Sequence, residues 1–105
     1  MEYTLFDTVY KVYTYIGRYA NNNNIAIELI TEDGEPFATL TVNICRLEEG
    51  LACIDTNNCS GALDLIKKYN LGEFTNNFCQ SGYCYFPVFK LNMDNINKYA
   101  YKEVE

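Results

Sequence analysis

Five cysteines, fourteen carboxylates and no histidine set the chemistry that this 105-residue chain can attempt. Without an imidazole there is no ordinary general base near neutral pH, no Ser/His or Cys/His nucleophile pair, and no use of the commonest transition-metal ligand. Cys59 and Cys84 are candidate nucleophiles, but nothing in the sequence supplies a histidine to activate either thiol. Cys53, Cys59, Cys79 and Cys84 offer four soft ligands for a tetrahedral zinc site. Their pairs are separated by five and four residues, a spacing wrong for a zinc knuckle, so buried reduced thiols are the default reading. The six glycines stand singly and never form a phosphate-cradling loop. The residues predict a protein that is not an enzyme and that carries neither cofactor nor metal.

Candidate binding residues are easier to find. Glu32, Asp33 and Glu35 crowd one short segment around Gly34, where they either meet a basic partner or a hard cation, or serve as a solvated turn. Ten tyrosines and six phenylalanines exceed what a core of this size needs, and tyrosine suits interfaces because an apolar ring carries a polar tip. Tyr13, Tyr15, Tyr19, Tyr83 and Tyr85 are the candidates for a contact surface, against the simpler reading that they cover a sheet. A third candidate is Asp55-Thr56-Asn57-Asn58-Cys59-Ser60, in which Asp55, Thr56, Asn57, Asn58 and Ser60 set polar groups at a strand-to-helix junction. Free amides there would hold the phosphate of a nucleotide signal; the alternative is plain helix capping.

The length fits one domain with its own core, and 49% hydrophobic against 21% charged residues is an ordinary globular balance. A formal charge of −6 argues against direct nucleic-acid binding through phosphate contacts, and suits either simple solubility or a basic protein partner. The N-terminal segment lacks the basic start and apolar run of a secretory signal, and no stretch approaches membrane-spanning length. The expectation is a cytoplasmic protein with reduced cysteines and no membrane partner.

Several elements must position these residues. Val9–Ile16 is dense in β-branched and aromatic residues and reads as a strand with Tyr10, Val12, Thr14 and Ile16 on one face. Ile25–Ile30 and Phe37–Ile44 form a hairpin across the Asp33-Gly34 turn, with Ala38, Leu40, Val42 and Ile44 facing the core and Phe37, Thr39, Thr41 and Asn43 facing outward. A short strand over Leu51–Ile54 precedes a helix in which Ala62, Leu65, Ile66 and Tyr69 share a face and Gly72 closes the end. Thr75-Asn76-Asn77 reads as a polar loop. Tyr83–Leu91 is a last strand, which Pro87 confines to a sheet edge or marks with a bulge. A short helix over Asp94–Tyr101 would be capped by Asp94 and turn Ile96, Tyr99 and Ala100 inward, although its asparagines argue against it. The class predicted is α+β: one antiparallel sheet of five to six strands with one main helix packed on one face. A single domain spans residues 1–105, with a core over 3–91 and an extension over 92–105.

The strings Ala26-Ile27 with Leu29, Glu32 to Asn43, Asp55 to Cys59, Leu71-Gly72-Glu73 and Ser81 to Pro87 resemble a family of small uncharacterised proteins from low-GC bacteria, their phages and mobile elements. The likeness runs from about Ala20 to Phe89 and leaves the tail after Leu91 as additional. In that family Cys59 and Cys84 have counterparts, whereas Cys45, Cys53 and Cys79 do not. The resemblance brings no assigned active site. It implies a non-enzymatic inhibitor that binds a host defence protein or nuclease complex in the manner of an anti-CRISPR.

Overall fold

The computed structural model describes residues 1–102 and divides the strands between two sheets. The first carries β1 (Glu2–Leu5), β2 (Thr8–Arg18), β3 (Ile25–Thr31) and β4 (Pro36–Thr39) in that order. The second carries β5 (Thr41–Val42), β6 (Leu51–Ile54), β7 (Gly72–Ser81) and β8 (Cys84–Leu91) in the order β5-β6-β8-β7, and every strand pairing is antiparallel. Two short helices, α1 (Ala62–Tyr69) and α2 (Met93–Lys98), complete the domain. The class is thus antiparallel and mainly β, with short helices, but two four-stranded sheets replace the expected single sheet of five to six strands.

The division happens at Leu40. Its N–H donates to the Ile27 carbonyl, while its own carbonyl accepts from Asp55 N–H, each at 2.9 Å, so one residue is hydrogen-bonded to both sheets. The expected strand over 37–44 therefore breaks into β4 and β5, and its period-two alternation breaks with it. Thr41, expected outside, is 2% exposed; its hydroxyl accepts from Ile27 N–H at 3.1 Å and meets Tyr19 Oη at 3.0 Å. Phe37, also expected outside, is half-buried edge-on against Tyr3, with ring centroids 5.2 Å apart.

Three elements depart from the sequence expectation for local reasons. β1 was not expected, and it folds back on β2 through Phe6 and Asp7, both at positive φ (48° and 64°) as a two-residue hairpin of the primed type requires. β8 is an interior strand, so of the two alternatives that Pro87 left open the edge is not realised and the bulge is, on the partner strand: Pro87 stands where the β7 ladder is interrupted. The segment read as a polar loop at Thr75–Asn77 is that interruption, lying inside β7.

Inner faces of both sheets and both helices share one core, in which Val12, Ile27, Leu29, Leu40, Ile54, Leu71 and Ile96 are wholly or almost wholly buried. α1 contributes Ala62, Leu65 and Ile66, as its spacing predicted. Its ends are made differently from expectation. Gly61 N–H donates to Tyr3 Oη at 2.8 Å in place of a side-chain cap, and Asn70 at φ 53° closes the helix. Gly72 serves β7 instead, since a Cβ there would lie 3.0 Å from the Lys90 carbonyl oxygen. α2 is capped by Asn92, which accepts from Asn95 N–H at 3.2 Å, and not by Asp94. Among the described residues no helix is long and apolar enough to cross a membrane.

The loop between β2 and β3, which carries Asn21, Asn22, Asn23 and Asn24, is structural. Asn24 is buried, and its amide donates to the Asn43 side chain at 3.0 Å and the Cys45 carbonyl at 2.6 Å, while its oxygen accepts from Leu47 N–H at 3.0 Å. Asn24→Ala leaves these groups unpartnered and is expected to cost about 2–3 kcal/mol, read as a lower urea midpoint at unchanged slope.

Candidate functional site

β7 and β8 form a hairpin whose two-residue turn has Gly82 at its first central position, with φ 61°. Between the Phe74–Phe89 and Phe78–Pro87 pairs, three residues of β7 oppose the single Val88 of β8. Asn76 takes φ 68° to accommodate the excess, and Thr75 Oγ1 donates to the Val88 carbonyl at 2.7 Å where the ladder is broken. In a regular strand, residues four apart lie about 13 Å from one another. The bulge instead brings Phe74 and Phe78 to 5.3 Å between ring centroids, edge to face, with Phe74 also 5.7 Å from Phe89.

This aromatic stack forms one wall of a groove whose opposite wall is the outer side of α1. Leu63 and Lys67 stand on the helix side, Phe74, Phe78 and Tyr85 on the hairpin side, and Ile66, Pro87 and Phe89 at the base. The groove encloses about 620 Å³. Leu63, Phe78 and Tyr85 are 46%, 57% and 62% exposed, an apolar surface that water covers at a free-energy cost. Charge is confined to Lys67 and Glu73 among the lining residues. The arrangement suits insertion of an apolar side chain.

The residues singled out from sequence are dispersed. Tyr85 lines the groove and Tyr83 is fully exposed at the turn of the same hairpin. Tyr15 is exposed on β2, whereas Tyr19 is half-buried and tied to Thr41. Tyr13 is half-buried edge-on to Tyr101, and with Glu32 and Asp33 it lines a separate hollow that also holds Lys98 and Lys102. Lys11 lies 3.8 Å from Glu32, so the acidic hairpin tip is partly neutralised, while Glu35 is exposed on the same turn. Sequence reading missed Leu63, Phe74 and Phe78. The bulge hid β7, and the usable signal was the strand-length distance between Gly72 and the Ser81-Gly82 turn.

At the strand-to-helix junction the polar groups mostly satisfy each other. Asp55, almost fully buried, accepts from Asn58 N–H at 3.1 Å, Cys59 N–H donates to the Asp55 carbonyl, and Gly61 N–H is taken by Tyr3. Thr56 lines the end of the groove, and Asn57 and Ser60 are exposed.

The cysteines do not converge as a four-thiol set. Cys59 Sγ lies 3.4 Å from Tyr3 Oη, Cys84 is 3.9 Å from the Asn57 amide, and Cys79 Sγ is 3.3 Å from Cys45 Sγ. Among the described residues no group of three or more His, Cys, Asp or Glu side chains is arranged to hold a metal ion. Burial raises the Cys53 and Cys59 thiols above their ordinary value of 9.0, with Cys79 adding to the Cys53 shift, and burial likewise raises the Tyr3 hydroxyl. An acid with a raised folded pKa holds its proton after the unfolded chain has lost it. Its contribution to stability is complete below the unfolded pKa and is lost as pH rises. Urea unfolding should therefore show stability falling from about pH 9 upward, with Cys53→Ala flattening the decline.

These features define a small two-sheet antiparallel domain with an aromatic groove between α1 and the β7–β8 hairpin. The chain belongs to the family described as a domain of unknown function, DUF4313, whose model matches residues 14–105. The match begins within β2 and runs through the tail, so residues after Leu91 belong to the family pattern and are not an addition to it. No curated protein and no solved structure matches the chain.

Proposed function

We propose that this protein works by binding another protein, with the α1–hairpin groove receiving an apolar side chain of the partner. One observation carries this reading: Leu63, Phe78 and Tyr85 are left exposed together, around a groove whose aromatic wall is the Phe74–Phe78–Phe89 stack. Interfaces draw most of their affinity from a few such aromatic anchors in concave sites. The excess of acidic residues, −6 in formal charge, favours a basic partner and speeds its approach.

The biological role we propose is inhibition of a host defence nuclease complex by a protein of phage or mobile-element origin, in the manner of an anti-CRISPR. Support comes from the sequence resemblance and from the acidic charge, which suits occupation of a nucleic-acid channel. The test is affinity capture from nuclease-treated host lysate with the native protein and with Phe78→Asp in parallel. A nuclease component retained by the first and absent from the second supports the reading; equal capture by both removes the groove from it.

A second reading is favoured by the groove volume, which falls within the roughly 300–1,000 Å³ typical of small-molecule sites. A small apolar compound that raises the melting temperature of the native protein but not of Phe78→Asp would support it.

A further inference from the structure

The face of the second sheet turned away from the groove carries a separate small apolar cluster, Cys53, Phe86 and Val88, with Ile44, Leu47 and Cys79 packed against it. Residues 43–50 cross this face on a fixed course. Asn24 holds the Cys45 carbonyl and the Leu47 N–H, and Arg18 binds both carboxylate oxygens of Glu49 at 2.9 and 2.6 Å. This course sets Cys45 Sγ 3.3 Å from Cys79 Sγ, across 34 positions of sequence. Cys45 is exposed, Cys79 half-buried, and Cys53 buried behind them.

We propose that Cys45 and Cys79 form an oxidisable pair that closes to an intramolecular disulfide when the protein meets a small-molecule disulfide. The Cys45 thiolate attacks one sulfur of R–S–S–R, giving a mixed disulfide and releasing one R–S⁻. The Cys79 thiolate then attacks the Cys45 sulfur, forming the Cys45–Cys79 bond and expelling the second R–S⁻. The two protons leave the protein thiols and end on the two released small thiols. The protein is oxidised by two electrons and the small disulfide is reduced by two.

Closure from 3.3 Å to a bond of about 2.05 Å asks mainly for rotation of the exposed Cys45 side chain, and the fixed loop supplies a high effective concentration. The hydrogen bond to Cys79, followed by burial, raises the Cys45 thiol above its ordinary value, so the reaction is slow at neutral pH and quickens as pH rises. The bond pins residues 43–50 to β7, the strand that also carries Phe74 and Phe78.

The test incubates the full chain with oxidised glutathione at about pH 8.5, caps remaining thiols with N-ethylmaleimide after unfolding, and maps the peptides. The expected result is a mass loss of about 2 Da before capping, capped Cys53, Cys59 and Cys84, and one linked peptide joining Cys45 to Cys79. The melting temperature should rise by on the order of 10 °C. Cys45→Ser should abolish the mass loss, and Asn24→Ala should slow conversion of the mixed disulfide several-fold by loosening the loop. Five capped thiols, a glutathione adduct on Cys45 that never resolves, or linkage through other cysteines would each overturn the proposal.

Discussion

A chain shortened to end at Leu91 is expected to lose its cooperative unfolding transition, although its sequence retains all eight strands and α1. The removed segment supplies Ile96, which is wholly buried in the shared core. It also supplies the partners of Thr14, a buried residue of β2. Thr14 Oγ1 donates to the Ile96 carbonyl at 2.8 Å, Thr14 N–H donates to the Tyr99 carbonyl at 3.0 Å, and the Thr14 carbonyl accepts from Tyr101 N–H at 2.8 Å. Loss of the Ile96 side chain alone costs about 2–5 kcal/mol, and each buried group left without its partner adds about 1–3 kcal/mol. Those terms together rival the whole stability of a typical domain, about 5–15 kcal/mol. Urea unfolding followed by circular dichroism is the measurement. Ile96→Ala in the full chain should keep the transition and lower its midpoint, whereas a truncated chain with native stability would show that α2 and the tail contribute nothing to the fold.

Phe78→Asp is expected to reduce affinity for the proposed partner by at least 30-fold, about 2 kcal/mol, and Tyr85→Asp by a comparable amount, because both rings stand exposed at the rim of the groove. Melting temperature should change little, since neither ring belongs to the core. The contrasting variant neutralises Glu32, Asp33 and Glu35 together. These acids sit on an exposed turn with Lys11, Lys98 and Lys102 nearby, so their removal should slow association a few-fold and weaken its salt dependence, leaving dissociation nearly unchanged. Binding kinetics of the captured partner at two salt concentrations separate the cases. A large loss with the triple variant and none with Phe78→Asp would move the interface to the hairpin tip.

Much of the fold was readable where one residue's chemistry dictates its own backbone. The Asp33-Gly34 turn between β3 and β4 follows from the glycine at φ 83°, and the buried face of α1 follows from the spacing of Ala62, Leu65 and Ile66. The alternation of Tyr10, Val12, Thr14 and Ile16 marked the inner face of β2 only in part: Val12 and Thr14 are buried and Ile16 is half-buried, but Tyr10 stays exposed. The groove was not readable, because its best residues sit on either side of a bulge. Phe74 and Phe78 flank a Thr-Asn-Asn triplet that carries loop chemistry, and only pairing with β8 turns that triplet into an insertion within a strand. The close approach of Cys45 to Cys79 was equally hidden, since it depends on an asparagine some twenty positions upstream of Cys45 holding its loop in place.

By itself, the sequence determined an acidic, histidine-free, aromatic-rich chain with short antiparallel strands, one amphipathic helix and a tight Asp-Gly hairpin. Those properties reside in single side chains and short periodicities, and they hold whatever the chain packs against. Tertiary structure alone decided that Leu40 would hydrogen-bond to both sheets, that Pro87 would sit in an interior strand, that Ile96 would close the core, and which aromatics would stay in water. The physical reason is common to all four. Backbone pairing and burial are shared between segments far apart in the chain, so the burial of each residue is fixed by a partner that its own neighbours do not encode.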